Sequence, residues 1–175
     1  MAVFPRRQVA PKVRGDYTKL RLFVREDFSE CCAYCLLHEL LAGGSRNFEL
    51  DHFRPKSLPQ FAILVKDFFN LYYACHVCNN LKSNAWPSPD AEAVGYGFVD
   101  LCNDAFSTHF REEETGRWQP LTFAGQYTEE RLNLNSQHLI TIRAKLRNIA
   151  QLRNVQPINW DYPSRNQLEQ LLGGL

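Results

Sequence analysis

Two short cysteine pairs constrain this chain more than any other feature. Cys32-Ala-Tyr-Cys35 and Cys75-His-Val-Cys78 both read C-x2-C, with 39 residues between them. Each pair can present two thiolates to one ion from a tight turn. Two such turns complete the four-cysteine tetrahedral shell of a structural zinc site. The remaining cysteines fit less well. Cys31 to Cys35 is C-x3-C, a less usual knuckle, and Cys102 has no partner in the sequence and reads as a small buried apolar residue. His76, inside the second pair, is expected to point away from the metal.

The composition agrees with metal-binding rather than disulfide-forming cysteines. With 175 residues, 45% apolar and 22% charged, the chain is an ordinary globular one, long enough to bury its own core. No run approaches the roughly 18 apolar residues of a membrane span, and the first residues lack the apolar segment of a secretory signal. The expectation is a cytoplasmic protein with no membrane association, in a compartment that keeps thiols reduced. The net charge of +1 hides an asymmetry. Residues 1–25 hold seven Lys or Arg against Asp16, a local +6; residues 86–128 are −5, and residues 129–153 are +3. Such a distribution suits a polyanion partner as well as plain solvated surface. The bases expected to face a polyanion lie in the arm and on the helix carrying Arg143 and Arg147.

Periodicity predicts an α+β protein. Residues 1–16, with Pro5, Pro11 and Gly15, read as an irregular basic arm. Leu20, Phe23, Val24 and Phe28 predict a helix over 17–28. A short helix over 36–47 ends at Gly43-Gly44. Phe48-Glu49-Leu50-Asp51-His52 alternates as a half-buried strand does. Residues 54–69 form a loop with a short helix, Leu71-Tyr72-Tyr73-Ala74 a second strand, and 78–84 a helix stopped by Pro87 and Pro89. Residues 95–101 and 118–126 read as extended segments around an acidic loop. The clearest helix spans 136–153, with Leu139, Ile142, Leu146 and Ile149 on one face and Asn135 or Ser136 as cap. A tail with Pro157 and Pro163 ends in a short amphipathic segment. The expected organisation is an arm (1–16), a core (17–90) and a C-terminal α/β extension (91–175) packed on it.

The segment between the cysteine pairs carries residues suited to chemistry. Asp51-His52 is followed by Phe53-Arg54-Pro55-Lys56-Ser57, then Asn70-Leu71, then Cys78-Asn79-Asn80-Leu81-Lys82-Ser83-Asn84. In this order the sequence resembles the HNH endonuclease family. That family reads C-x2-C, Asp-His followed by a proline, Asn-Leu, then C-x2-C-(Asn or His)-x2-Lys, and its fold is ββα-metal, the His-Me finger. The match covers residues 32–84.

The resemblance implies roles. His52 is the general base that activates water for attack on phosphorus. Asp51 and Asn79 hold a catalytic Mg2+ or Mn2+ through oxygen ligands. Asn70 fixes the loop and orients the base. Arg54, Lys56 and Lys82 are the natural phosphate contacts. Adjacent residues on a strand point to opposite faces, so the strand must end or distort near Asp51-His52 for both to reach one site. Further likeness, in the Ala-Trp-Pro, Gly-Tyr-Gly-Phe-Val-Asp and Leu-Asn-Leu-Asn segments, is to a bacterial branch that includes nuclease subunits of phage-defence systems, such as Septu-type and some retron systems. These work with an ATPase partner. The implied function is metal-dependent hydrolysis of DNA in antiviral defence.

Three rival readings are weaker or compatible. A non-catalytic zinc-ribbon module or interaction subunit needs the cysteines but not Asp51, His52 and Asn79 together. A zinc deaminase needs His-x-Glu and Pro-Cys-x2-Cys, whereas Phe53 and Arg54 follow His52 and Ala74 precedes Cys75. A regulatory subunit whose nuclease works only in complex agrees with the main reading.

Overall fold

The computed structural model describes residues 2–4, 6–161 and 163–173. It is a mixed α/β protein built around one antiparallel pair of strands. Strand β1 (Phe48–His52) pairs in register with β2 (Leu71–Cys75), from Phe48 opposite Cys75 to His52 opposite Leu71. Both strands lie where alternation and aromatic content place them. Every residue of β2 is buried, because its tyrosines pack on both faces. Tyr72 stacks on Phe53 with ring centroids 4.6 Å apart, and Tyr73 stacks on Phe48 at 4.7 Å.

Helix α1 (Arg21–Asp27) follows a 3-10 turn over Tyr17–Leu20, which Asp16 caps by accepting from the Thr18 N–H. Only the second half of the expected helix is therefore α-helical. Helix α2 (His76–Lys82) follows β2 directly and packs against both strands. It starts earlier than the spacing suggested because the second cysteine pair is itself the first turn. The Cys75 Sγ caps it, accepting from the Cys78 N–H at 3.5 Å. The prolines do not end α2. It ends at Lys82, and Ser83 turns the chain with φ of 47°, while Pro89 opens α3 (Pro89–Ala93).

The C-terminal half departs most from its sequence pattern. Residues 95–101 form no strand. They are a loop that buries Phe98, Val99 and Leu101, and Thr128 Oγ1 accepts from the Val99 N–H at 2.8 Å. Within 118–126 only β4 (Trp118–Pro120) is extended, paired with β3 (Phe110–Glu112) after α4 (Phe106–His109). From Phe123 the chain is helical: α5 (Phe123–Leu132) is capped by Thr122, whose Oγ1 accepts from the Gly125 N–H at 3.0 Å. Gly125 is required there, since a Cβ would lie 2.5 Å from the His109 carbonyl oxygen. Helix α6 (Gln137–Arg153) is as expected, capped by Ser136, and α7 (Arg165–Leu172) is the amphipathic end. One contiguous apolar cluster runs from Val3 to Leu171. No helix among the described residues is long and apolar enough to cross a membrane.

Several of the bases expected to face a polyanion are engaged within the fold, while Lys12, Arg14, Lys19 and Lys145 stay exposed. In the arm, Val3 and Phe4 are buried and their N–H groups donate to Asp104 and Leu101. Arg6 lies over the Phe68 ring at 4.5 Å, and Arg7 pairs with Asp27 at 2.6 Å. Arg21 donates to the Ser45 and Phe48 carbonyls, and Arg25 pairs with Glu39 and Glu30. Four of the seven bases in residues 1–25 are thus ties within the fold. Arg143 is 4% exposed and sits 4.1 Å over the Trp118 ring, and Arg147 pairs with Glu112 at 2.6 Å.

Candidate functional site

The two cysteine pairs meet at the end of the β1–β2 pair. Cys32, Cys35, Cys75 and Cys78 are buried, and their sulfurs all lie within 4.8 Å of one another. The first pair sits on a small hairpin: the Leu37 carbonyl accepts from the Cys32 N–H, and the Cys32 carbonyl accepts from the Leu36 N–H, both at 3.0 Å. Leu36 takes the left-handed conformation at φ 59° to close that turn. The second pair straddles the junction of β2 and α2. Backbone N–H groups of Cys75 and Cys78 point at the sulfurs of Cys32 and Cys75. Contacts from the Cys32, Cys35 and Cys78 sulfurs lower the Cys75 pKa, while the same close sulfurs raise those of Cys35 and Cys78. Four sulfurs in this arrangement fit a structural zinc ion. Cys31 is buried outside the cluster, with its Sγ on the Ser29 carbonyl, and His76 turns away to Glu49. Cys102, expected to be buried, is half-buried and packs against the apolar core.

Towards the other end of β1 a cleft of about 270 Å³ is lined by Asp51, His52, Lys56, Asn79, Ser83 and Asn84, among others. It lies between the end of β1 and α2. Asp51 and His52 are adjacent yet both line it, because β1 stops at His52 and the chain bends at Phe53 and Arg54. His52 Nε2 lies 2.9 Å from the Val65 carbonyl. A carbonyl only accepts, so Nε2 carries the hydrogen and Nδ1 keeps the lone pair. The hydrogen bond that His52 makes among the described residues runs through Nε2, not Nδ1. Burial, opposed by the Val65 hydrogen bond, pushes the His52 pKa below its usual value, so the ring is neutral at pH 7. The Tyr17 ring meets His52 edge-on, with centroids 5.0 Å apart.

Asn70 holds the loop that supplies Val65. Its Oδ1 accepts from the Arg54 N–H at 2.9 Å, and its Nδ2 donates to the Arg54 and Leu64 carbonyls at 3.0 and 3.4 Å. Asn70 is therefore beneath the cleft, one residue of chain away from the His52 contact, rather than in its lining. Asn79 gives its Nδ2 to Glu49, which leaves its carbonyl oxygen as the group it can offer to the cleft. Lys56 stands at the rim, with Nζ 3.2 Å from the Tyr17 hydroxyl. Arg54 is exposed but faces a neighbouring polar cleft with Arg6 and Arg7.

Lys82 corrects the sequence reading. It is 0% exposed and out of reach of any nucleic-acid backbone. Its Nζ lies 2.9 Å from Asp51 Oδ2 and donates to the His52 carbonyl at 2.8 Å. Burial lowers its pKa, and the Asp51 carboxylate opposes that shift. Tyr34, from the first cysteine turn, donates its hydroxyl to the same Asp51 oxygen. Tyr34, Glu49 and the Val65 carbonyl were not singled out in the sequence. Glu49 had a signal: two residues before Asp51 on a strand, it shares the Asp51 face. Neither a protein-family model nor a curated protein sequence matches the chain.

Proposed function

We propose that this protein is a metal-dependent endonuclease of the HNH type, hydrolysing phosphodiester bonds of DNA. The observation that carries the reading is the His52 ring. It is buried, neutral and held through Nε2 by a carbonyl, with a carboxylate and an amide in the same cleft. The order β1, β2, α2, bracketed by a four-cysteine cluster, supports a ββα-metal core.

The donor set suits a small hard cation. Asp51 has one carboxylate oxygen free of the Tyr34 and Lys82 contacts, and Asn79 has a carbonyl oxygen, with Asn80, Ser83 and Asn84 around them. Oxygen ligands of this kind fit Mg2+ or Mn2+. Such an ion supplies charge stabilisation at the phosphate and at the leaving 3′-oxygen. The chain's own residues do the rest. Nδ1 of His52 takes a proton from the attacking water while Nε2–H stays on Val65. Asn70 keeps that carbonyl in place, and Lys56 meets a phosphate at the rim. The four cysteines hold zinc as a structural staple. The proposed setting is antiviral defence with an ATPase partner, on the likeness of the sequence alone.

The non-catalytic zinc-module reading draws on one observation, the internal pairing of Asp51 with Lys82. One experiment separates the two. Zinc-loaded protein is incubated with supercoiled plasmid and single-stranded DNA in Mg2+ or Mn2+, with the ends mapped. The nuclease reading expects cation-dependent cuts with 3′-hydroxyl and 5′-phosphate ends, lost in Asp51→Asn. Cleavage that Asp51→Asn retains would overturn it.

A further inference from the structure

Asp51 is held from behind by two groups that do not themselves line the cleft. The Tyr34 hydroxyl and the Lys82 ammonium both bind Oδ2, and all three side chains are buried. Lys82 also donates to the His52 carbonyl and lies 5.6 Å from the Phe98 ring. One ammonium therefore fixes two consecutive residues of β1. A buried ion pair of this kind is seldom kept for stability, since well-packed apolar groups often serve as well. A pair that fixes one oxygen of a carboxylate lining a cleft has a further use.

We propose that Tyr34 and Lys82 are positioning residues that clamp Asp51 Oδ2, so that the carboxylate offers only Oδ1 to a divalent cation in the cleft. This rests on the reading of the cleft as a cation-dependent nuclease site. It also ties that site to the cysteine cluster, because Tyr34 lies between Cys32 and Cys35. The turn that the structural metal closes is the turn that delivers the hydroxyl. Outer partners of metal ligands orient the ligand, and their loss costs about 10–100-fold in metal affinity.

Tyr34→Phe isolates the hydroxyl. The ring packs beside Tyr72 and Phe98, with centroids 6.4 and 6.3 Å away, and Phe keeps that packing. Mn2+ binding to the zinc-loaded full chain is measured by calorimetry and by electron paramagnetic resonance, without DNA. In Tyr34→Phe the Mn2+ dissociation constant should rise about tenfold or more, with zinc content and melting temperature unchanged. In cleavage assays the half-activating Mn2+ concentration should rise while the rate at saturating Mn2+ stays near wild type; a purely structural hydroxyl would not divide the two. Wild-type Mn2+ affinity in Tyr34→Phe, with binding lost in Asp51→Asn, overturns the clamp and leaves the nuclease site standing. No Mn2+ binding by the wild type overturns both. If Tyr34→Phe fails to fold, an Mn2+ complex of the wild type decides by anomalous scattering. The clamp predicts the ion on Oδ1 with Oδ2 still on Tyr34 and Lys82, and an ion chelated by both oxygens refutes it.

Discussion

Replacing Asn70 with alanine tests whether one buried amide organises the loop behind His52. Asn70 spans the base of the β1–β2 connection with two short hydrogen bonds to Arg54 and a longer one to Leu64. Each is worth about 0.5–1.5 kcal/mol net, and a buried group left unpaired costs about 1–3 kcal/mol. With the Arg54 N–H and carbonyl both deprived, Asn70→Ala should destabilise the protein by roughly 2–4 kcal/mol, on those values. For a chain of this size that is a melting-temperature drop of roughly 5–15 °C. Calorimetry on zinc-loaded protein reads the drop, and hydrogen exchange reads the place: the Arg54 amide and residues 58–70 should exchange faster, while β2 stays protected. Asn70→Asp keeps the acceptor for the Arg54 N–H but turns an oxygen on two carbonyls, so it should cost at least as much. A melting temperature within about 2 °C of wild type, with unchanged exchange at Arg54, would refute the reasoning.

Three further outcomes follow from the same geometry. Cys78→Ser should lose the bound zinc, measured by metal analysis, and with it much of the cooperative unfolding transition, because binding and folding are coupled; a zinc-free variant that melts like wild type would count against a structural ion. Asn79→Ala should keep zinc and melting temperature yet need more Mg2+ or Mn2+ for cleavage, and an unchanged cation dependence would remove Asn79 from the site. His38 should make stability fall in mild acid. Burial lowers its pKa, against the pull of Glu30 and Glu39, and its Nδ1 accepts from the Leu40 N–H, which a protonated ring cannot do. The unfolded chain then binds the proton more readily, so stability is full above about pH 6.5 and declines as pH falls below it. Urea titrations across that range should show the decline, and it should be smaller in His38→Gln, where His52, also lowered by burial, supplies what remains.

How far the sequence reached depended on whether a feature was local. The C-x2-C pairs and the alternation of residues 48–52 are short-range patterns, and the structure places them as read. Since adjacent strand residues point to opposite faces unless the strand ends there, the juxtaposition of Asp51, His52 and Asn79 was legible only through the likeness of the segment to a known motif. Surface exposure was not. Lys82 reads as a cation on a short helix, but Asp51 from β1, Tyr34 from the first cysteine turn and Phe98 from the C-terminal half close around it. Arg143 sits on the apolar face of α6 because Trp118, 25 residues earlier, offers a ring to cover. Helix α5 was missed for a different reason: its buried residues Gly125, Thr128 and Leu132 are too polar and too small to show an apolar stripe. Its one local signal was Thr122 before a helix start, a cap with a Gly three residues on.

The central claim is that His52 acts as a general base beside a cation held by Asp51. Cleavage of a labelled DNA duplex by His52→Ala and by wild type, both zinc-loaded and equally stable, tests it in saturating Mg2+ and Mn2+. General-base assistance is worth about 10²–10⁴ in rate, so the variant should bind DNA and both metals like wild type while cutting slower by about that factor. Wild-type cleavage rates in His52→Ala would contradict the account.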